Sequence, residues 1–271
     1  LKTYRLQPLN PDAQYPQIAP GTPVPNPKLN NPLWQSLEFY SLLNRAWTFG
    51  GVREQDKEVV AQFAKLGIGP GLTFDPAALT AAQRAGLQRA VETAYQRVML
   101  HSQENGEIRN GWRFATNLGA YGNNRMLASA IGLMGYGANR AEEALYLPAF
   151  LDHENQPLVS DRNYRIHFTA DNLPPVNEFW SITLYSRPEN QLKDNPIKRY
   201  AFGDRTPTLQ RNADGSIDIY VQQERPEGDK AANWLPSGES GPIWMILRMY
   251  GPKQAALEGK FTPPVVERID D

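Results

Sequence analysis

The stretch LPPVNEFWSITLY, Leu173 to Tyr185, constrains the fold of this chain more than any other. Pro174 and Pro175 bar a helix and set an extended approach, after which Phe179 to Tyr185 alternates with the period of a strand that has two usable faces. Trp180, Ile182 and Leu184 fall on one side; Phe179, Ser181, Thr183 and Tyr185 fall on the other. Tyr164 to Phe168, Ile217 to Gln223 and Trp244 to Tyr250 have the same build. Strands of this kind must put their apolar sides into a common core, so the expectation is an antiparallel β region that the rest of the chain leads into or covers.

At 271 residues the chain is long enough to bury a substantial core without a metal or disulfide staple. Its 28 basic and 29 acidic residues leave a net charge of -1, which removes the general electrostatic argument for nucleic acid or an anionic membrane as partner. The absence of cysteine excludes disulfides, thiolate metal sites and a cysteine nucleophile, and fits either redox compartment. No apolar run is long enough to predict a membrane span. The sequence starts at Leu1, so any targeting segment would lie upstream of it.

In chain order, eight prolines between Pro8 and Pro32 predict an extended lead-in. Asn31 followed by Pro32 predicts a helix start, with Leu33, Leu37, Tyr40, Leu43 and Trp47 as one apolar stripe and Gly50 with Gly51 as the stop. A second helix is expected from about Arg53 to Leu66, burying Val59, Val60, Phe63 and Leu66, followed by a GIGPG turn series at Gly67 to Gly71. Thr80 with Gln83 fits a capping box, and the longest helix follows to about Gln103. Asn124 to Met134 reads as one short helix, and strands and turns take over from Glu143. The organisation expected is therefore α+β. Residues 1–110 form a proline-rich lead-in and three-helix region, and residues 111–271 form an antiparallel β-sandwich with one short helix. NADG, Asn212 to Gly215, reads as a hairpin turn, and the last eleven residues as a tail laid over the surface.

Familiar catalytic motifs are missing. His101, His153 and His167 share no ligand spacing, so no metal or other cofactor is expected. A nucleophile elbow fails at Gly238 to Pro242, where proline replaces the second glycine. GIGPG lacks the dinucleotide fingerprint, and no phosphate loop with its lysine occurs. Strand alternation is more informative, because it leaves Arg165, His167, Ser181, Thr183, Tyr185, Asp218, Tyr220, Gln222, Trp244, Arg248 and Tyr250 on polar faces. The plain reading is the wet side of a sheet. The functional reading is a ligand site, since aromatic rings and guanidinium groups bind planar or anionic partners. If the four strands join one sheet, parity puts Arg248, Tyr185 and Tyr220 in one pocket, with Arg165 and His167 at its edge and Asp218 and Tyr250 beside them.

The second half resembles the bacterial family known as domain of unknown function 1214. The resemblance runs through NGWRFATNLGAYG, GLMGYGANRAEEALYLPAF, YRIHF, LPPVNEFWSITLY, DNPIKRYAFGDRTP, NADGSIDIYVQ and ANWLP. The first half, from YRLQPL at Tyr4 through FAKLGIGPGLTFD, resembles the end of the partner domain of unknown function 1254 and the helices after it. The resemblance implies a helical segment followed by a jelly-roll-like β domain, often in exported proteins of the periplasm or cell exterior, with no established catalytic set to transfer. Members of the two-part type carry a further β domain ahead of the helices, which leads one to expect a homo-oligomer or an N-terminal companion domain. The reading that follows is an exported or envelope-associated protein that binds a small polar or saccharide-like ligand. The alternatives are a cofactor-free hydrolase or lyase, with Asp218 or His167 as base beside Tyr185, Tyr220 and Arg248, and a structural or assembly module. Between Asp152 and Tyr164 the chain departs from the family's aspartate-glycine turn, reading DHENQPLVSDRNY.

Overall fold

The computed structural model describes residues 35–269 apart from Tyr136; the proline-rich lead-in and the Asn31-Pro32 helix start lie outside the described residues. The described residues divide into two compact units, one up to Glu92 and one from Thr93 onward.

In the first unit, α1 (Glu38–Gly50) ends where Gly51 adopts φ 74° and returns its N–H to the Trp47 carbonyl. Its described stripe is as expected, Leu33 lying outside the described residues: Tyr40 is buried with Ile68, Phe74 and Val91, and Leu37, Leu43 and Trp47 pack around them. Asn44 is buried on the same helix and organises the glycine turns. Its amide donates to the Gly67 and Leu72 carbonyls at 2.7 and 2.9 Å, and its oxygen accepts the Gly69 N–H at 2.7 Å. The GIGPG amides thus serve a structural asparagine.

The expected second helix is broken. Only α2 (Lys57–Ala61) is α-helical, between 3-10 turns at Glu54–Asp56 and Ala64–Leu66. The reason is its weak apolar face: Val60 is buried, whereas Val59 and Phe63 remain 43% and 41% exposed, so little burial supports a continuous helix here. By contrast, α3 (Ala81–Glu104) opens on the capping box read from sequence. The Thr80 N–H donates to Gln83 Oε1 at 2.9 Å, and the Gln83 N–H donates to Thr80 Oγ1 at 3.2 Å. Thr80→Ala is expected to cost about 1 kcal/mol in urea unfolding; an unchanged transition would show that the cap contributes nothing to this helix.

The second unit begins with a hairpin, β1 (Glu107–Arg109) and β2 (Trp112–Phe114). Its two-residue turn, Asn110 and Gly111, has φ of 50° and 81°, which is the positive-φ pair a tight hairpin needs. After α4 (Arg125–Gly135), capped by Asn124 Oδ1 on the Leu127 N–H, come β3 (Ala144–Ala149), β4 (Asn163–Phe168), β5 (Val176–Ser186) and β6 (Ala201–Gly203). The chain then runs through β7 (Ile217–Gln222), β8 (Trp234–Pro236), β9 (Ile243–Pro252), α5 (Gln254–Leu257) and β10 (Val266–Ile269). Among the described residues, no helix is long and apolar enough to cross a membrane.

These strands form two packed, unclosed sheets, in the orders β1-β2-β3-β9-β5-β6 and β10-β4-β7-β8. The architecture is α+β, helices first, as the sequence predicts, but the four signature strands do not share a sheet. Strands β5 and β9 pair in the first, while β4 and β7 pair in the second. The apolar sides of all four meet in one core, where Phe168 of β4 lies 5.1 Å from Trp180 of β5. Alternation is satisfied equally well by two sheets face to face, because each strand still buries one side.

Three further expectations are corrected. Strand β8 runs parallel to β7, so the region is not wholly antiparallel. The NADG turn forms, with Gly215 at φ 85°, but among the described residues no strand precedes it to make a hairpin with β7. The C-terminal segment is not a surface tail: β10 pairs with β4, Val266 is fully buried, and the Trp112 indole N–H donates to the Pro264 carbonyl at 2.7 Å. In the departing loop, Asn155 supplies the positive φ of 61° that glycine would otherwise provide, while Asp152 Oδ1 accepts the N–H groups of Glu154 and Gln156.

Candidate functional site

The polar faces read from the sequence are real, but they lie on the two outer sides of the sandwich. Tyr185, Arg248 and Tyr250 share one; Arg165, His167, Asp218 and Tyr220 share the other. The expected single pocket of Arg248, Tyr185 and Tyr220 therefore does not form, and a base at Asp218 or His167 cannot act beside Tyr185 and Arg248. Two sheets that bury one face each leave their remaining faces on opposite sides.

On the six-stranded sheet, register places Trp244 opposite Tyr185, Ile246 opposite Thr183, Arg248 opposite Ser181 and Tyr250 opposite Phe179. Strand β3 adds Pro148 beside Ile246 and Tyr146 beside Arg248. The first row is an aromatic ladder: the Phe150 and Trp244 ring centroids are 5.5 Å apart, and those of Trp244 and Tyr185 are 5.0 Å apart. Guanidinium groups close both ends, Arg187 over Phe150 at 5.1 Å and Arg248 over Tyr185 at 5.7 Å. The last row is a second stack, Phe179 on Tyr250 at 4.4 Å with Arg205 over Phe179 at 4.2 Å. Between the rows lie Pro148, Ile246, Thr183 and Ser181, with Thr183 and Ile246 buried.

Arg248 starts about 13 Å along β9 from Trp244 and leans back, so that its Nη2 donates to the Tyr185 hydroxyl at 3.0 Å. It is half-buried and enters no ion pair among the described residues. The Trp244 indole N–H is buried and meets no acceptor among them. Burial, followed by the neighbouring Tyr250, pushes the Tyr146 phenol above its ordinary range. The face is thus rich in donors and poor in acceptors, and its ring planes are largely occupied by each other.

The outer face of the four-stranded sheet carries paired charges. His167 Nδ1 and Asp218 Oδ1 are 2.8 Å apart, and Asn212 Nδ2 donates to Asp218 Oδ2 at 2.7 Å. Arg165 donates to Glu267 Oε2 from Nε and Nη2 at 2.9 and 2.6 Å, and this pairing raises its pKa. Tyr220 lies under Lys230 at 5.5 Å, and burial followed by the Asp218 charge raises its pKa. Among the described residues, Arg165, Asp218 and Glu267 each have a partner from a neighbouring strand or turn. No group of three histidine, aspartate or glutamate side chains suited to a metal occurs among the described residues.

Lys193 Nζ donates to Ser160 Oγ at 2.8 Å and to the Glu239 carbonyl, and burial lowers its pKa. In outline this is a serine–lysine pair. Ser160, however, is 1% exposed and donates its own hydroxyl to the Ser237 carbonyl at 3.0 Å, so the pair clamps three loops together and offers no accessible nucleophile. Two open concavities, of about 550 and 430 Å³, lie around Arg199 and Trp234 and around Arg109 and Phe114, and none of their lining residues belongs to the aromatic face.

Residues 143–254 match the family described as protein of unknown function (DUF1214). The chain carries a DUF1214 domain. Its solved structural neighbours include the VPA0106 protein of Vibrio parahaemolyticus, 24% identical, with a TM-score of 0.56 over 79% of this chain and 51% of that one. A second is an uncharacterised protein of Burkholderia cenocepacia, 15% identical, with a TM-score of 0.34 over 85% of this chain and 52% of that one. The chain therefore spans about half the length of the structures it matches. No curated protein matches significantly. The DUF1214 domain contains all seven residues assigned to the expected pocket and its surroundings, and its aromatic face also recruits Tyr146, Phe150 and Arg187. Tyr146, Pro148 and Phe150 alternate with Leu145, Leu147 and Ala149, a period-two signal as clear as those of the other strands. Arg187 lies beyond the end of its strand, where no periodicity marks it.

Proposed function

We propose that the DUF1214 domain binds a small polar ligand on the outer face of its six-stranded sheet, through acceptor oxygens that meet Arg248 and Trp244. The observation that carries this reading is the half-buried Arg248 guanidinium, with one hydrogen bond, to Tyr185, and no counter-charge among the described residues. A guanidinium withdrawn from water without an anion is costly, and a carboxylate or a hydroxylated ring on the face would repay that cost. The ladder refines the chemistry. Because Phe150, Trp244 and Tyr185 use their ring planes on one another and on Arg187 and Arg248, recognition rests on N–H donors more than on stacking against a sugar.

Native mass spectrometry of the purified chain, with titration of acidic and hydroxylated small molecules followed by tryptophan fluorescence, tests the proposal. Arg248→Met keeps the apolar stem, and it is expected to weaken binding about tenfold or more with little loss of fold, the value of a charge-assisted hydrogen bond. Equal binding by the variant, or a saturable ligand that leaves Trp244 fluorescence unchanged, would place the ligand elsewhere.

A further inference from the structure

The concavity of about 550 Å³ is on different ground from the aromatic face, and none of its lining residues belongs to that face. It is walled by Arg199 ahead of β6, by Thr208 and Gln210 beyond it, and by the segment from Arg225 to Ala232 that leads into Trp234. Its walls are tied together. Arg199 Nη1 donates to the Trp234 carbonyl at 2.7 Å and Nη2 to Thr208 Oγ1 at 3.1 Å, while Thr208 Oγ1 donates to the Ala232 carbonyl at 2.6 Å. Asn233 clips the other side, donating to the Gln210 carbonyl and accepting its N–H at 2.7 and 2.8 Å.

Arg199 is half-buried and carries no carboxylate partner among the described residues; its positive charge is held beside backbone carbonyls and over the Phe202 ring at 5.7 Å instead. Arg225, which also lines the concavity, is exposed and enters no ion pair among them. The lining holds one acid, Asp229, against these two guanidinium groups, and the adjacent Lys230 is directed to Tyr220. Burial lowers the pKa of Arg199, consistent with a cation lacking its counter-charge.

We infer that this concavity is a binding site for an oxyanion group, a phosphate or a carboxylate borne by a small molecule. The spare donors of Arg199 engage the anion from the floor, and Arg225 closes on it from the rim. A planar guanidinium suits either group, since both present paired oxygens to its fork. Thr208 is already committed to Ala232, so it positions Arg199 and does not itself contact the ligand.

The test is a titration of the whole chain with inorganic phosphate, and separately with acetate, at constant ionic strength made up with chloride, read by backbone amide chemical shifts. Saturating shifts confined to residues 197–210 and 225–234 are expected from at least one of the two, and which one responds assigns the group. Arg225→Gln removes an exposed side chain that ties nothing together, and it should weaken the effect about tenfold, as for one charge-assisted contact; Arg225→Glu should abolish it. Absence of saturation with both anions, shifts scattered over the surface, or an undiminished response in Arg225→Glu overturns the inference. Arg199→Lys is a weaker probe, because losing the fork also loosens the loop it ties.

Discussion

Phe168→Ala is expected to lower the stability of the β unit by about 3–5 kcal/mol. Phe168 is fully buried at the end of β4, and its ring lies 5.1 Å from Trp180 of β5 in the opposite sheet. Truncation therefore removes buried apolar surface and leaves a cavity between two layers. The ladder of β4 with β7 and β10 on one side, and of β5 with β9 on the other, limits how far those layers collapse into it. Urea unfolding followed by circular dichroism and tryptophan fluorescence measures the effect, with the midpoint falling and the slope unchanged. Leu192→Ala, at a side chain 48% exposed, is the control and should stay within about 0.5 kcal/mol. A loss below about 1 kcal/mol at Phe168, small for a buried aromatic, would mean that the two sheets are not stacked through this contact.

Gly203→Ala is expected to cost about 3 kcal/mol, at the upper end for overpacking. Gly203 pairs with Ser181 at the edge of the six-stranded sheet, and a Cβ there would stand 2.1 Å from the Trp180 carbonyl oxygen and 2.9 Å from Ser181 Cα. Those are backbone atoms of the neighbouring strand β5, so no rotamer change relieves the clash; either β6 withdraws or the sheet bends. The backbone angle at Gly203 is not of the left-handed kind, so the cost arises from contact alone. Gly132 provides the contrast: it lies within α4 with nothing within 4 Å of its added Cβ, and alanine there should be neutral or stabilising by up to about 1 kcal/mol. Loss of hydrogen-exchange protection along β6 in Gly203→Ala would locate the damage. Equal stabilities for the two alanine variants would remove the close-approach explanation.

Local rules were legible in the sequence wherever a few neighbouring residues decide the outcome. The alternation of Trp180, Ile182 and Leu184 against Phe179, Ser181, Thr183 and Tyr185 names the buried side of β5 correctly, and Thr80 with Gln83 marks the start of α3. Asn110-Gly111 was an equally local hairpin signal, and the VVERI alternation at Val265 to Ile269 was a strand signal that the adjoining prolines obscured. Parity of this kind also puts Arg248 and Tyr185 on one face, and their hydrogen bond bears that out.

Parity says which way a side chain points but carries no information on which sheet its strand joins. That choice depends on pairings between distant segments, such as β3 with β9 and β10 with β4, whose contacts accrue only after long loops have closed. So it was tertiary structure that moved Tyr220, Asp218, His167 and Arg165 to the far side of the sandwich from Arg248, and gave that second face its charge partners. Tertiary structure also left Arg199 beside carbonyls instead of a carboxylate, because its surroundings come from three loops with no common period. By itself the sequence determined that helices precede strands, the inward face of each signature strand and the capping box of α3; the choice of partners, and with it the places where a guanidinium is left without an anion, was decided by packing.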